Sequence, residues 1–217
     1  MSALAGRRVV VSAGPTYEDL DPVRFLGNRS SGKMGFAVAA AAAARGADVL
    51  LVAGPVSLPT PAGVTRIDVR SAAQMHAAVM AALPCDVYIG AAAVADYTPV
   101  AVSPCKLKKQ AGQDGLTLEL VRTRDILAEV AAHARRPRLV VGFAAETHDV
   151  EGYARAKLAA KKLDLIAANR VGVEGSGFES DQNTLLVFDA EGAATLGPGA
   201  KADIAHGLLD LVEARLA

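Results

Sequence analysis

The segment Gly27-Asn28-Arg29-Ser30-Ser31-Gly32-Lys33-Met34-Gly35 satisfies the phosphate-loop spacing G-x-x-x-x-G-K and breaks it at the next position. Nucleotide hydrolases need Ser or Thr after that Lys because the hydroxyl ligates magnesium, and here Met34 stands in its place. What remains is direct capture of an anion by backbone N–H groups at the head of a small-residue helix. Gly14, Ser30, Ser31, Gly32 and Lys33 are the residues expected to hold it, and a phosphate or carboxylate is the expected ligand. Asn28, just ahead of the helix, can donate its amide to an acyl or phosphoryl oxygen. Equally, Asn28 with Ser30 or Ser31 can serve as a helix cap.

Two lysine sets could act on the same kind of ligand. In Lys106-Leu107-Lys108-Lys109, alternation puts Lys106 and Lys108 on one side of an extended arm able to close over polyphosphate, although such runs are also common as solvated surface. Lys157 and Lys161 share one helix face, where a common anion would relieve their repulsion; a solvated face is the alternative. Asp96 and Glu146 stand at strand ends, suited to a ribose hydroxyl or a metal-bound water, although Asp96 could equally cap a local turn. His76, His133, His148 and His206 show no ligand spacing, and no Ser-His-Asp set or metal cluster is legible. A dinucleotide fold would carry G-x-G-x-x-G after its first strand. Ala13-Gly14-Pro15-Thr16 instead leads into a polar excursion through residues 19–25, which removes the main support for a nicotinamide cofactor.

The elements that must position these residues follow from pattern. Val9-Val10-Val11 predicts a buried strand, and residues 34–45 an alanine-rich helix ended by Gly46. Strands are expected at 49–53, 64–69, 86–89, 139–143 and 165–168, with helices at 71–83 (capped by Ser71), 125–134, 150–162 and 201–216. Alternating strands and helices predict an α/β fold with a doubly wound, mostly parallel, Rossmann-like sheet. An extra antiparallel pair is expected within 178–198, around Thr184 to Phe188 and Ala194 to Leu196, after a Gly-rich stretch ending at Gly177. From 97 to 121 the helical period disappears, predicting an irregular arm or flap. Ligands of such sheets lie beyond the carboxyl ends of the strands where strand order reverses, which singles out 13–31, 54–60, 90–96, 142–146 and 169 onward.

Composition sets the bounds. At 217 residues and 52% hydrophobic, the chain reads as one domain spanning 1–217. Lys plus Arg equals Asp plus Glu at 23 each, so no general positive field exists and nucleic acid is not an expected partner. Cys85 and Cys105 have no metal spacing and suit a reducing compartment. No apolar run spans a bilayer, so no membrane partner is expected and the chain is read as cytoplasmic.

Taken together, several long segments resemble the bacterial form of phosphopantothenoylcysteine synthetase, the CTP-dependent ligase of coenzyme A biosynthesis. They are Ser12 to Thr16, Leu20 to Phe25 running into Gly27 to Gly35, Gly54-Pro55-Val56, Ala91 to Tyr97, Lys106-x-Lys108-Lys109, Gly142 to Thr147 and Asp164 to Asn169. The resemblance covers nearly the whole chain. It implies that the carboxylate of 4'-phosphopantothenate attacks the α-phosphorus of CTP, giving an acyl-cytidylate and pyrophosphate, after which the amine of L-cysteine displaces CMP. Asn28 then matches the asparagine needed to form the acyl-cytidylate, and Lys106 the flap lysine acting on the phosphates and intermediate.

Gly90, Ala91, Ala92 and Asp96 match the CTP-binding strand end; Arg124, Asp125, Ile126 and Leu127 match a nucleotide-contacting helix start. The family often has Pro at the position of Arg124, so the resemblance there carries the backbone rather than the side chain. Phe143 would pack on the nucleotide, and Lys157 and Lys161 match triphosphate-binding lysines. Mg2+ is implied by the triphosphate, with one or two carboxylates and no compact motif. The resemblance also implies a homodimer, with the 178–198 pair as candidate interface. In many bacteria a flavin-dependent phosphopantothenoylcysteine decarboxylase precedes the synthetase in one polypeptide; nothing here resembles that domain, and residues 1–6 look like a trimmed linker. Two other readings stay open: an NAD(P)-binding oxidoreductase, and a non-catalytic nucleotide-binding module of a larger assembly.

Overall fold

β1 (Arg8–Ala13) divides its side chains between two cores, with Val9, Val11 and Ala13 on one side and Val10 on the other. This is the two-residue period of an extended chain. The same division recurs in β4 (Asp48–Ala53), β6 (Val87–Gly90) and β9 (Leu139–Glu146), so neither face of these strands meets water. Buried on both sides, they read as continuous apolar runs, as parallel strands do. With β5 (Val64–Asp68), β10 (Leu165–Arg170), β11 (Gln182–Phe188) and β12 (Ala193–Ala200) they make one sheet in the order β12-β11-β10-β9-β6-β1-β4-β5. The pairs from β5 to β10 are parallel, and β10/β11 and β11/β12 are antiparallel. This computed structural model describes residues 2–109, 112, 114–170 and 181–217.

α1 (Lys33–Ala44) and α5 (Lys201–Leu216) cover one face of the sheet. α2 (Ala72–Ala81), α3 (Ile126–Ala131) and α4 (Val150–Ala160) cover the other. Ser71 caps α2 as its sequence predicts, in a reciprocal box with Gln74 that satisfies two otherwise orphaned N–H groups. The helix expected at 125–134 is shorter, because Asp125 is its N-cap and regular bonding ends at Ala131.

The structure adds detail to three of these expectations. The polar excursion after β1 is a hairpin, β2 (Tyr17–Asp21) against β3 (Arg24–Gly27). Its acidic sequence has low strand propensity, and tertiary partners supply the order: Tyr17 stacks on Phe25 at 3.9 Å, Arg70 lies over both rings, and the buried Glu18 carboxylate accepts the N–H of Ala72 at 2.8 Å. Within the stretch expected to be irregular, β7 (Tyr97–Pro99) pairs with β8 (Leu120–Arg122), and Ser103 and Leu107 between them are bonded to the first hairpin. Ser103 donates to the Leu20 carbonyl, the Asp21 carboxylate accepts the N–H of Leu107, and Arg24 donates to the Leu107 carbonyl. Burial pushes the Asp21 carboxyl up, but the Val23 and Leu107 N–H groups and Arg24 outweigh it and hold it below the usual carboxylate range. The expected C-terminal antiparallel pair is β11 with β12, and it extends the central sheet, with β12 at its edge. The Gly-rich stretch ending at Gly177 and residues 178–180 of that expected pair lie outside the described residues.

Strand order reverses between β1 and β6: the chain goes from β1 outward through β4 to β5, then returns to β6 on the other flank. That junction is where the fold leaves a crevice at the strand ends.

Candidate active site

α1 begins at Gly32, whose φ of 74° is left-handed and which has no side-chain cap. A side chain at Gly32 would also come 3.0 Å from Val56 Cγ1, so the position needs glycine for both reasons. One turn later, a Cβ on Gly35 would fall 2.5 Å from the Cβ of Ala13. The first turn of α1 is therefore pressed onto the end of β1 and aims its N-terminus over the crevice. Asn28 is not a helix cap: its Nδ2 donates to the carbonyls of Ala93 and Val94, both at 3.1 Å, tying the turn to the segment after β6. Ser30 Oγ accepts the Gly32 N–H at 3.4 Å, a weak local contact and not a helix cap.

Two cavities open on the crevice, of about 550 and 380 Å³. The larger is lined by Gly90, Ala92, Asp96, Arg124, Asp125, Ile126, Leu127, Phe143, Lys157 and Lys161. The smaller is lined by Asn28, Ser30, Ser31, Gly32, Lys33, Ala91 and Ala92, with Asn183 and Lys201 beyond them. Ala92, Val94, Asp96, Phe143 and Lys157 belong to both, so the two spaces share one wall.

Of the residues singled out from sequence, Gly14 and Lys106 line neither cavity. Gly14 turns the chain at φ 79° and its carbonyl accepts the Ala93 N–H. Lys106 is exposed on the arm, next to the anchored Leu107. Glu146, also expected at the cleft, ends β9 outside both cavities.

The charges in the larger cavity are mutually arranged. Lys157 Nζ donates to the Phe143 carbonyl at 3.0 Å, and Lys161 Nζ lies 2.7 Å from Asp125 Oδ2. Burial, then Lys161, lowers Lys157 from the ordinary lysine value against the opposite pull of Glu146, Asp125 and Asp96. For Asp125, burial raises the carboxyl, but Lys161, the Ala128 N–H and Lys157 together lower it below its usual range. Arg124 is gripped by Glu129 at 2.6 Å, and Glu129 also takes His76 at 2.9 Å. Two adjacent ammonium groups beside a pocket with a small-residue floor can accept a chain of phosphates.

Sequence reasoning missed Ser12 and Tyr88, whose hydroxyls meet at 3.0 Å in the floor of the larger cavity, and Thr123, whose hydroxyl donates to the Ala95 carbonyl. Gly90 and Gly142 have a packing reason as well: a Cβ would meet the Leu127 side chain at 3.2 and 2.8 Å. The signal available for Tyr88 was a single hydroxyl inside an otherwise apolar strand. For Asn183 and Lys201 no local pattern existed, because they reach the crevice from elements far along the chain. Both cysteines are free thiols, and burial pushes Cys85 up to about 12.

The sequence and fold are similar to those of known proteins. The coenzyme A biosynthesis bifunctional protein CoaBC of Vibrio cholerae is 52% identical over 214 residues, which are 98% of this chain and 54% of that protein. The chain thus spans about half the length of the curated relatives it matches. The crystal structure of the C-terminal domain of a coenzyme A biosynthesis bifunctional protein CoaBC superposes with a TM-score of 0.83 at 38% identity, covering 100% of this chain and 98% of that one. A Cab2 mutant in complex with phosphopantothenate-cysteine has the same fold, with a TM-score of 0.78 at 17% identity over 97% of this chain and 86% of that one. The model of the DNA/pantothenate metabolism flavoprotein C-terminal domain matches residues 4–216, every strand and helix that frames the crevice included, and the chain belongs to that family.

Proposed function

We propose that this chain is a phosphopantothenate–cysteine ligase that cleaves CTP to CMP and pyrophosphate through an acyl-cytidylate, within coenzyme A biosynthesis. The observation that carries the proposal is the shared wall: a nucleotide along Gly90, Asp125, Phe143 and Lys161 brings its α-phosphate next to a carboxylate held beside Asn28. The acyl carboxylate is already a nucleophile, so the site needs positioning and charge neutralisation more than a proton acceptor. Its oxygen forms the bond to the α-phosphorus and pyrophosphate leaves with the electron pair; the cysteine amine then attacks the acyl carbon, loses a proton, and expels CMP. Asn28 would steady the acyl oxygens once one of its carbonyl contacts yields, and Lys157 and Lys161 would hold the triphosphate. The Cab2 mutant in complex with phosphopantothenate-cysteine, which shares this fold, supports the choice of substrate class.

Among the described residues no three His, Cys, Asp or Glu cluster as a metal site. A magnesium ion carried by the triphosphate needs no such cluster, and Asp96, facing both cavities, is the carboxylate that fits it. The ion would supply charge neutralisation at the phosphate oxygens. The test of the whole reading is incubation with CTP, magnesium, 4'-phosphopantothenate and L-cysteine: CMP and pyrophosphate should form in step with the amide, and their absence ends the proposal. A calorimetric response to NAD or NADP that CTP does not compete away, with no CMP formed, would favour the oxidoreductase reading. CTP binding without pyrophosphate release would favour the non-catalytic one.

Lys106 keeps its proposed role as a flap lysine through arm closure. Lys106→Gln should lower turnover by at least about ten-fold with no change in melting temperature, because an exposed arm lysine carries little stability. A lowered melting temperature with normal turnover would show the lysine to be structural.

The homodimer is proposed with a different face from the C-terminal strand pair. β12 is an edge strand bearing Pro198, a pattern that resists strand-to-strand pairing. Exposed apolar side chains gather instead on the arm and hairpin, at Val23, Tyr97, Val102, Leu116, Leu120 and Val121. Leu120→Lys with Val121→Glu should convert the dimer to monomers in sedimentation; an unchanged dimer would move the interface elsewhere. A decarboxylase domain in the full-length protein and a cytoplasmic location complete the proposal; among the described residues no helix is long and apolar enough to cross a membrane.

A further inference from the structure

At the rim of the larger cavity stands a bonded chain of three side chains to which the ligase chemistry assigns no task. Arg124 meets Glu129 through two points of its fork, Nε donating to Oε1 at 2.9 Å and Nη2 to Oε2 at 2.6 Å. Glu129 is itself fixed from behind by His76 on α2, whose Nε2 lies 2.9 Å from Oε2. A carboxylate only accepts, so that nitrogen carries the hydrogen. The Arg124 bond lowers the Glu129 carboxyl from its usual value, burial opposes this, and the His76 bond adds to the lowering. Side-chain exposure rises from 10% at His76 through 34% at Glu129 to 67% at Arg124, so the chain runs from the protein interior out to the rim.

The backbone that carries Arg124 is fixed as well. Thr123 donates its N–H to the Asp96 carbonyl at 3.0 Å and its hydroxyl to the Ala95 carbonyl at 2.6 Å. Asp125, on the other side, caps α3 and takes Lys161 at 2.7 Å. A free arginine gives up side-chain freedom on meeting a ligand; here the fork has given it up on folding, so a contact to a ligand costs less. Nη1 makes no hydrogen bond among the described residues and keeps its N–H groups available. Charge decides what they suit. Lys157 and Lys161 outnumber Asp125 and leave positive charge for phosphates, whereas Arg124 and Glu129 cancel, and the Glu129 carboxylate repels a phosphate brought to the same fork. A donor without net charge fits a neutral acceptor, such as the carbonyl and ring nitrogen of a nucleobase or the oxygens of ribose.

We propose that Glu129, anchored by His76, is a positioning residue that sets the Arg124 guanidinium as a hydrogen-bond donor to the nucleoside part of the bound nucleotide. The larger cavity then has an uncharged contact for the nucleoside besides its cationic contact for the phosphates. The proposal rests on the ligase reading only in taking CTP as the nucleotide. Glu129 and His76 touch no ligand themselves; they act through the direction in which they hold Arg124.

The test titrates CTP, CMP and inorganic tripolyphosphate, each with magnesium, into the full wild-type chain and into Glu129→Gln, Arg124→Gln, His76→Gln and His76→Leu by calorimetry. Glu129→Gln and Arg124→Gln should weaken CTP and CMP by the same factor, about five- to ten-fold, and leave tripolyphosphate unchanged. His76→Gln, which keeps a donor, should bind CMP more tightly than His76→Leu. In turnover, KM for CTP should rise with kcat unchanged, the mark of binding lost equally from substrate and transition state. Wild-type affinity for CMP in the folded Glu129 and Arg124 variants overturns the proposal. Tripolyphosphate weakened along with CTP assigns the pair to the phosphates, and a lowered melting temperature with unchanged CMP affinity makes the chain of bonds structural; both also overturn it. Arg124 is exposed, so Arg124→Gln carries the comparison should Glu129→Gln fail to fold. A wild-type chain that binds CTP but forms no CMP removes the ligase reading alone, whereas a working ligase whose variants bind CMP as the wild type does removes only this inference.

Discussion

Asn28→Asp is expected to reduce pyrophosphate release by about 10²- to 10³-fold while CTP binds as before. In the structure the Asn28 amide donates to the carbonyls of Ala93, which lines the smaller cavity, and Val94, which lines both. A carboxylate at that position has only acceptors to offer, so it loses both bonds and sets a negative charge beside the carboxylate that must attack. The nucleotide cavity is lined by other residues, which is why CTP affinity should persist. Asn28 is exposed, so the loss of stability should stay near about 1 kcal/mol. Single-turnover pyrophosphate release, set beside a thermal melt, separates the two effects; normal release from a folded variant would strike Asn28 from the mechanism.

Lys157→Met should cost a similar factor, about 10²- to 10³-fold in kcat/KM for CTP, and should not weaken the ligand-free fold. The argument turns on sign. Burial first and Lys161 second lower the Lys157 pKa in the folded chain, so between that value and 10.5 the unfolded chain holds more protons than the native one. Ligand-free stability therefore rises with pH through this window. Nucleotide affinity runs the other way, because the triphosphate needs the ammonium and loses it as pH rises through the lowered pKa. Removing Lys157 should flatten its share of both slopes. A variant that melts earlier and binds CTP normally would show the lysine to be a packing element held by the Phe143 carbonyl.

The sheet was legible because β1, β4, β6 and β9 are buried on both faces, a condition that writes itself as apolar runs. The larger cavity was legible for a different reason: it opens at strand ends and helix starts, where such sheets leave a crevice, and Gly90, Asp125 and Phe143, named from the family resemblance, line it. Two hairpins were not. Tyr17 to Asp21 has an acidic, weakly strand-forming sequence, ordered by Arg70 and Ala72 from elsewhere in the chain. β7 and β8 are three residues each and find one another across a long loop, beyond the reach of any periodicity. Lys201 was hidden for the same reason as Asn183: its meaning comes from a cavity assembled by distant elements, and its own neighbourhood reads as an ordinary amphipathic helix.

The Asp21 carboxylate joins two things that sequence treats as unrelated. β3 ends at Gly27, directly before Asn28, and the arm carrying Lys106 is fastened to the same hairpin through the N–H of Leu107. Hairpin and arm are thus fastened together, with Asn28 following one end and Lys106 beside the other, so a displacement of the arm would be passed through Asp21 toward Asn28 and its hold on Ala93 and Val94.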